Sequence, residues 1–364
     1  LISENYNICK KTISITFNKI KNNIISEIRA EFPTIASIIL YGSYGRDEGG
    51  WFYENNKINP YNDFDLLLVF KEKYNGNTVI NQFRKKLAKK LGIKWVDISI
   101  VSINNLKNTK NSIYGYDLKY GSSVIYGDSK VLDVIPVLSS KKIDLIEGEI
   151  LFFTRLWAFS GSISEIKELD GNESRFFRNQ MSKAVFAIID TILLLNEKYH
   201  HSYIKRYEIV SQFFANIISP EILVIFKWAL EEKLEPKEFH MSKEEVRVLY
   251  TDVAKIYKYF MLQLLNRKYK KTFHSIIEFK HFYKYNLKIN IKRLAYILIR
   301  RSFKFETIYW TNIIHMNILS IILNEVNSEP LLKESVDIFK KLGYDISLEL
   351  SEIKLKVSHI KENL

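Results

Sequence analysis

The chain has 364 residues, 47% of them hydrophobic and 26% charged, with a net charge of +13. That length and balance suit two soluble domains with sizeable cores and exclude a disordered or fibrous chain. A single cysteine, Cys9, rules out an internal disulfide and fits a reducing interior.

The opening LISENYNICKK carries acid and amide groups where a signal peptide would need an apolar core. The longest apolar run, Ala184 to Leu195, is too short to span a bilayer and contains Asp190. These features predict a cytoplasmic protein. Nine of the thirteen glycines fall before Asp128, and after Gly171 only Gly343 remains. A glycine-punctuated first third predicts strands and turns, and the breaker-poor remainder predicts helices.

In chain order, Thr12 to Glu31 reads as a helix stopped before Pro33. Ile35–Leu40, Phe64–Phe70 and Trp95–Val101 read as strands. Between the last two, Val79, Phe83, Leu87 and Leu91 recur every four residues, with Thr78 to cap the start and Gly92 the end. A turn-rich piece leads through Pro136 into the linker VLSSKKID. Beyond it, Ser219-Pro220, the capping box Ser242 to Glu245, and the Asn327 to Gly343 stretch mark helices. The fold class is α+β: a small mixed sheet domain over 1–130, a linker over 131–145 and a mainly helical domain over 146–364.

Chemistry concentrates in the first domain. The first strand ends in Tyr41-Gly42-Ser43, the second opens with Asp63-Phe64-Asp65, and the third holds Asp97. Residues two apart on a strand point to one face, so Asp63 and Asp65 project together and Asp97 can join them from the neighbouring strand. Converging carboxylates repel unless cations sit among them, and oxygen-only ligands favour Mg²⁺ or Mn²⁺. Gly42-Ser43 offers a turn whose backbone can approach a phosphate.

These residues resemble the DNA polymerase β-like nucleotidyltransferase superfamily, in YGSYGR, NDFDLLLVF and WVDIS. The later helical region resembles nucleotidyltransferases with a HEPN-like domain. The resemblance implies a nucleotidyltransferase domain in which Gly42 and Ser43 hold the β- and γ-phosphates of an NTP. Asp63 and Asp65 would bridge two metal ions, and Asp97 would bind the catalytic one and help deprotonate a hydroxyl acceptor. Lys183 or Arg206 would reach the triphosphate. Arg46 and Glu48 either touch nucleotide or pair with each other across a turn. One departure stands out: Ser43 and Asp63 are twenty positions apart, where about ten residues separate the two elements in minimal members, and the extra stretch is candidate acceptor-pocket material.

Other readings compete. A catalytically inactive nucleotide- or RNA-binding module would keep the fold, and glycosyltransferases also use Asp-x-Asp, though normally after an apolar strand. The Arg267-x6-His274 spacing matches some HEPN ribonucleases but arises easily in so basic a segment. His200-His201 reads as a surface pair, and Trp157, Trp228 and Trp310 as core. Between Asn266 and Glu306 stand 12 Lys or Arg against 2 acids, with interleaved aromatics. That segment suits solvated amphipathic helices, an RNA track, or an anionic membrane surface that would hold the protein peripherally. No residue names the acceptor, the base or the oligomeric state.

Overall fold

A computed structural model describes residues 2–54, 57–74, 76–93, 95–237, 240–291 and 304–362. The fold is α+β, and the chain divides into two units. The first comprises residues 1–143 with the returning segments 197–209 and 230–237; the second takes the rest.

In the first unit a four-stranded sheet has the order β5-β4-β1-β6. Its strands are β1 (Ile35–Tyr41), β4 (Phe64–Phe70), β5 (Val96–Ser102) and β6 (Ser123–Gly127), while β2 (Trp51–Glu54) and β3 (Lys57–Pro60) form a separate two-stranded ribbon. β1 pairs antiparallel with β4 and β6, and β4 pairs parallel with β5 through the crossover helix Asn77–Leu91. Strand alternation sorts the side chains onto two faces. Phe64, Leu66, Leu68, Val96 and Ile98 bury against the helices Ile2–Glu31 and Asn77–Leu91. Ile39, Leu67 and Val69 face a second cluster with Leu106, Leu118, Val131 and Ile135. With both faces covered, the strands read as continuous apolar runs.

The crossover helix differs from its sequence expectation at the start. It begins at Asn77 after Gly76, with no side-chain cap from Thr78. Ile80, Phe83, Leu87 and Ala88 face the core, while Val79 is exposed. A strict four-residue step drifts roughly 40° per step around a helix, so a stripe four residues apart cannot stay on one face. Gly92 ends the helix as expected, in the left-handed region at φ 68°.

The second unit is helical. Helix Gly171–Leu195 is buried on nearly all sides from Phe177 to Leu194 and packs against helices Leu145–Arg155 and Lys243–Tyr269. Helix Lys304–Ile322 packs on Ser328–Lys341. The three tryptophans expected in the core are half-buried instead. An indole N–H needs a polar partner: Trp157 donates to Ser358 at 3.1 Å and Trp310 to Glu306 at 2.6 Å. Within the basic-aromatic segment, Phe273, Phe279 and Tyr283 are core residues, while Arg267 and His274 are exposed. Residues 292–303 of that segment lie outside the described residues. Among the described residues no helix is long and apolar enough to cross a membrane.

The expected capping box is present: Ser242 Oγ accepts from Glu245 N at 3.3 Å, and Glu245 Oε2 accepts from Ser242 N at 2.8 Å. Ser242→Ala should lower unfolding stability by about 1 kcal/mol, read from the midpoint of urea denaturation.

Candidate active site

Asp65 stands opposite Tyr41 on β1 and beside Asp97 on β5. Both acids continue the strand alternation, Asp65 on the side of Leu67 and Asp97 opposite Val96 and Ile98. Asp63 precedes β4 by one residue. The three half-buried carboxylates each place an oxygen within 4.8 Å of the others. Asp63, Asp65 and Asp97 are therefore together in space.

Gly42 locks the cluster to the turn after β1. Its φ is +70°, and a Cβ there would lie 2.0 Å from Asp65 Oδ2. Only a residue without a side chain satisfies both the backbone angle and the carboxylate packed against it. Ser43, buried at the first turn of the short helix Gly42–Gly45, lends its carbonyl to Arg46 N and Glu48 N at 3.3 and 2.9 Å. Tyr44 goes fully inside, stacks on Phe64 at 4.5 Å and donates its hydroxyl to Gly50 O at 2.7 Å.

The twenty-residue gap is a closed excursion. Tyr61 N donates to Gly50 O at 2.9 Å at the base of the β2–β3 ribbon, and Trp51 packs edge-on against Tyr44. The chain thus returns to Asp63 next to where it left. The Asn62 side chain, adjacent to Asp63, has both polar ends buried with no partner in the protein.

Aromatic groups flank the acids. Trp95 donates its indole N–H to Asp97 Oδ1 at 2.7 Å. Burial first, and then the charge of Asp65, push the Tyr41 and Tyr114 hydroxyls above their ordinary pKa. Their rings meet edge to face at 5.8 Å.

Arg46 and Glu48 do pair, at 3.3 Å, but the pair belongs to a larger network. Arg46 also reaches Asp117 at 3.5 Å and lies over the Tyr203 ring. Glu48 accepts from Ser202 Oγ, Tyr203 N and Ile204 N, and so caps the helix Tyr203–Phe213 from a distant part of the chain. Arg206, nearly fully buried, donates to Asp117 at 3.0 Å and to the carbonyl of His201. Tyr199 donates its hydroxyl to Asp117 at 3.0 Å. Lys183 is half-buried on helix Gly171–Leu195 of the second unit.

Sequence reasoning missed Asp117, Tyr199 and Trp95. An isolated acid inside YGYDLKY gives no signal, whereas Trp95-x-Asp97, two residues apart at a strand start, offers a faint one. The histidines are also not a surface pair. His200 and His201 stack at 4.2 Å and are half-buried beside the network, because Arg206 draws the carbonyls of both inward.

Two predictions follow from these contacts. Gly42→Ala should lower stability by at least about 1 kcal/mol, the cost of a left-handed L-residue, with Asp65 displaced; urea unfolding reads the first effect and divalent-cation titration the second. For His201, burial first and then His200 lower the pKa from 6.5 to about 4. The unfolded chain therefore takes up this proton where the fold refuses it. The contribution of His201 to stability is full above pH 6.5 and is lost as pH falls towards about 4. His201→Gln should remove that part of the acid sensitivity, so its thermal midpoint should rise relative to wild type across this window.

No known protein family matches the chain, and no curated protein matches it. Two solved structures are similar in part: a toxin–antitoxin crystallised with AMP-PNP, at 18% identity, and a mutant MntA–HpeT toxin–antitoxin, at 17%. Each likeness covers 31% of this chain and 78% of the other, with a TM-score of 0.23. A likeness of that size carries no inference about fold or function.

Proposed function

We propose that this chain is a nucleotidyltransferase of the polymerase β-like superfamily. It would use Mg²⁺ or Mn²⁺ to transfer a nucleoside monophosphate from an NTP to a hydroxyl acceptor, releasing pyrophosphate. The observation that carries this reading is the convergence of Asp63, Asp65 and Asp97 over Gly42. Three carboxylates with oxygens within 4.8 Å make an all-oxygen donor set that suits a hard cation, whose charge would offset their repulsion. Bound there, divalent ions supply Lewis-acid stabilisation to the attacking and leaving oxygens.

In this reading Asp63 and Asp65 would hold the ions, and Asp97, on the neighbouring strand, would help hold them and help take the proton of the acceptor hydroxyl. Gly42 and Ser43 offer the triphosphate a turn already fixed against Asp65, so the phosphates and the ions are positioned by one rigid piece. The buried Asn62 amide lies alongside as a polar group still lacking a partner. Lys183 is the helical unit's candidate for the triphosphate. Arg46 and Arg206, both bonded to Asp117, stay candidate contacts for the nucleotide.

The test supplies each of the four NTPs, labelled at the α-phosphate, with Mg²⁺ or Mn²⁺ and a cell extract as the source of acceptors. Wild type should transfer label and release pyrophosphate. The Asp63→Asn/Asp65→Asn double variant should be slower by at least about a hundredfold, since charge stabilisation of that kind is the largest catalytic contribution. Equal silence of both proteins alongside metal-dependent NTP binding would replace this reading with a binding module of the same fold.

A further inference from the structure

We propose that Trp95 is a positioning residue that makes Asp97 a one-oxygen ligand and so tunes the site towards small octahedral cations over calcium. The inference rests on the metal reading above and adds to it a determinant of which metal is taken.

Asp97 has two carboxylate oxygens, and the structure treats them differently. Oδ1 receives the Trp95 indole N–H at 2.7 Å. That bond is short and charge-assisted, and it fixes the otherwise soft rotation of the carboxyl group. An indole nitrogen only donates, so Trp95 cannot ligate a cation or take a proton itself. Oδ2 does not share that bond and is the oxygen better placed to serve a cation.

Trp95 is in turn held. The Arg84 guanidinium, from helix Asn77–Leu91, sits 5.3 Å from the indole centroid and donates to the carbonyl of Ile98 at 2.8 Å. Arg84 thus grips β5 on the far side of Asp97 and supports the ring on the near side. The arrangement stays at the edge of the sheet, since β5 is a terminal strand and Trp95 is 39% exposed. A partly exposed tryptophan whose N–H is aimed at a carboxylate has more to do than fill a core.

The consequence lies in coordination geometry. Mg²⁺ demands near-ideal octahedral coordination and is served by single oxygens, whereas Ca²⁺ takes more ligands and accepts carboxylates through both oxygens. Engaging Oδ1 disfavours the two-oxygen mode at Asp97, because a cation bound through both oxygens must share Oδ1 with the indole N–H or displace it. Outer hydrogen-bond partners of ligating groups commonly carry about ten- to a hundredfold in metal affinity.

The experiment measures Mn²⁺ binding to the full chain by the paramagnetic resonance signal of free Mn²⁺, with Mg²⁺ and Ca²⁺ as competitors. Trp95→Phe keeps the ring under Arg84 and removes the donor. It should weaken Mn²⁺ binding about tenfold, leave the thermal midpoint unchanged, and shift competition several-fold in favour of Ca²⁺ over Mg²⁺. A purely structural role would not move that ratio. Mn²⁺ binding and competition equal to wild type would overturn the proposal while leaving the metal site standing. If Asp63→Asn/Asp65→Asn also binds Mn²⁺ like wild type, the metal reading itself falls.

Discussion

The contact between the Gly42 backbone and the Asp65 carboxylate is the constraint from which the rest of the first unit can be read. The antiparallel register places Tyr41 opposite Asp65, so the next residue must turn away while passing the acid. A φ of +70° allows the turn, and the missing Cβ leaves room for Oδ2. One glycine therefore couples the end of β1 to the start of β4. The parallel pairing of β4 with β5 then sets Asp97 beside Asp65, because a crossover through a covered helix fixes which residues become neighbours. Two of the three acids are thus placed by sheet register, and Asp63 joins them from the residue just before β4.

Charge is handled in two opposite ways within this unit. Around Asp117 two arginines meet two acids, Arg46 and Arg206 with Glu48 and Asp117, and hydrogen bonds from Tyr199 and Ser202 take up further oxygens. Such a buried set is tolerable only when its members satisfy one another, and removing one partner from it typically costs about 3–5 kcal/mol. It also holds residues 197–209 within the first unit. Asp63, Asp65 and Asp97 instead gather three carboxylates in one place, with the Trp95 indole donating to Asp97. Arg46, the arginine nearest the glycine turn in sequence, pairs with Glu48 and Asp117 in the network.

Much of this was legible in the sequence, for identifiable reasons. β4 was readable to the residue because its apolar run is bounded by Asp63 and a charged turn, and both of its faces are covered. Gly42 and the three acids were readable because sheet periodicity and turn chemistry each constrain residue type at a fixed spacing. What escaped depends on contacts between residues far apart in the chain. Asp117 and Arg206 are 89 residues apart, and neither carries a local pattern. The histidine pair was misjudged for the same reason: its burial comes from Arg206 binding the two carbonyls, which no composition count reveals. Thr78 failed as a cap and Val79 as a core residue because helical phase is set by packing against the sheet, and a two-residue uncertainty at a helix start changes which face is inside.

The long gap between Ser43 and Asp63 shows how an insertion can leave a site untouched. Loop-closure entropy grows slowly, so doubling a loop costs only about 0.6 kcal/mol. Here even that is reduced, because the excursion closes on itself through the Gly50–Tyr61 backbone bond and becomes a paired ribbon. Its root is anchored by Tyr44, whose ring stacks on Phe64 and whose hydroxyl bonds to Gly50, between the glycine turn and the first acids. Further along the ribbon, Tyr53 is largely exposed. The ribbon pairs with itself, while the register that sets Asp65 beside Asp97 belongs to the four-stranded sheet, so the two are built by separate sets of backbone bonds.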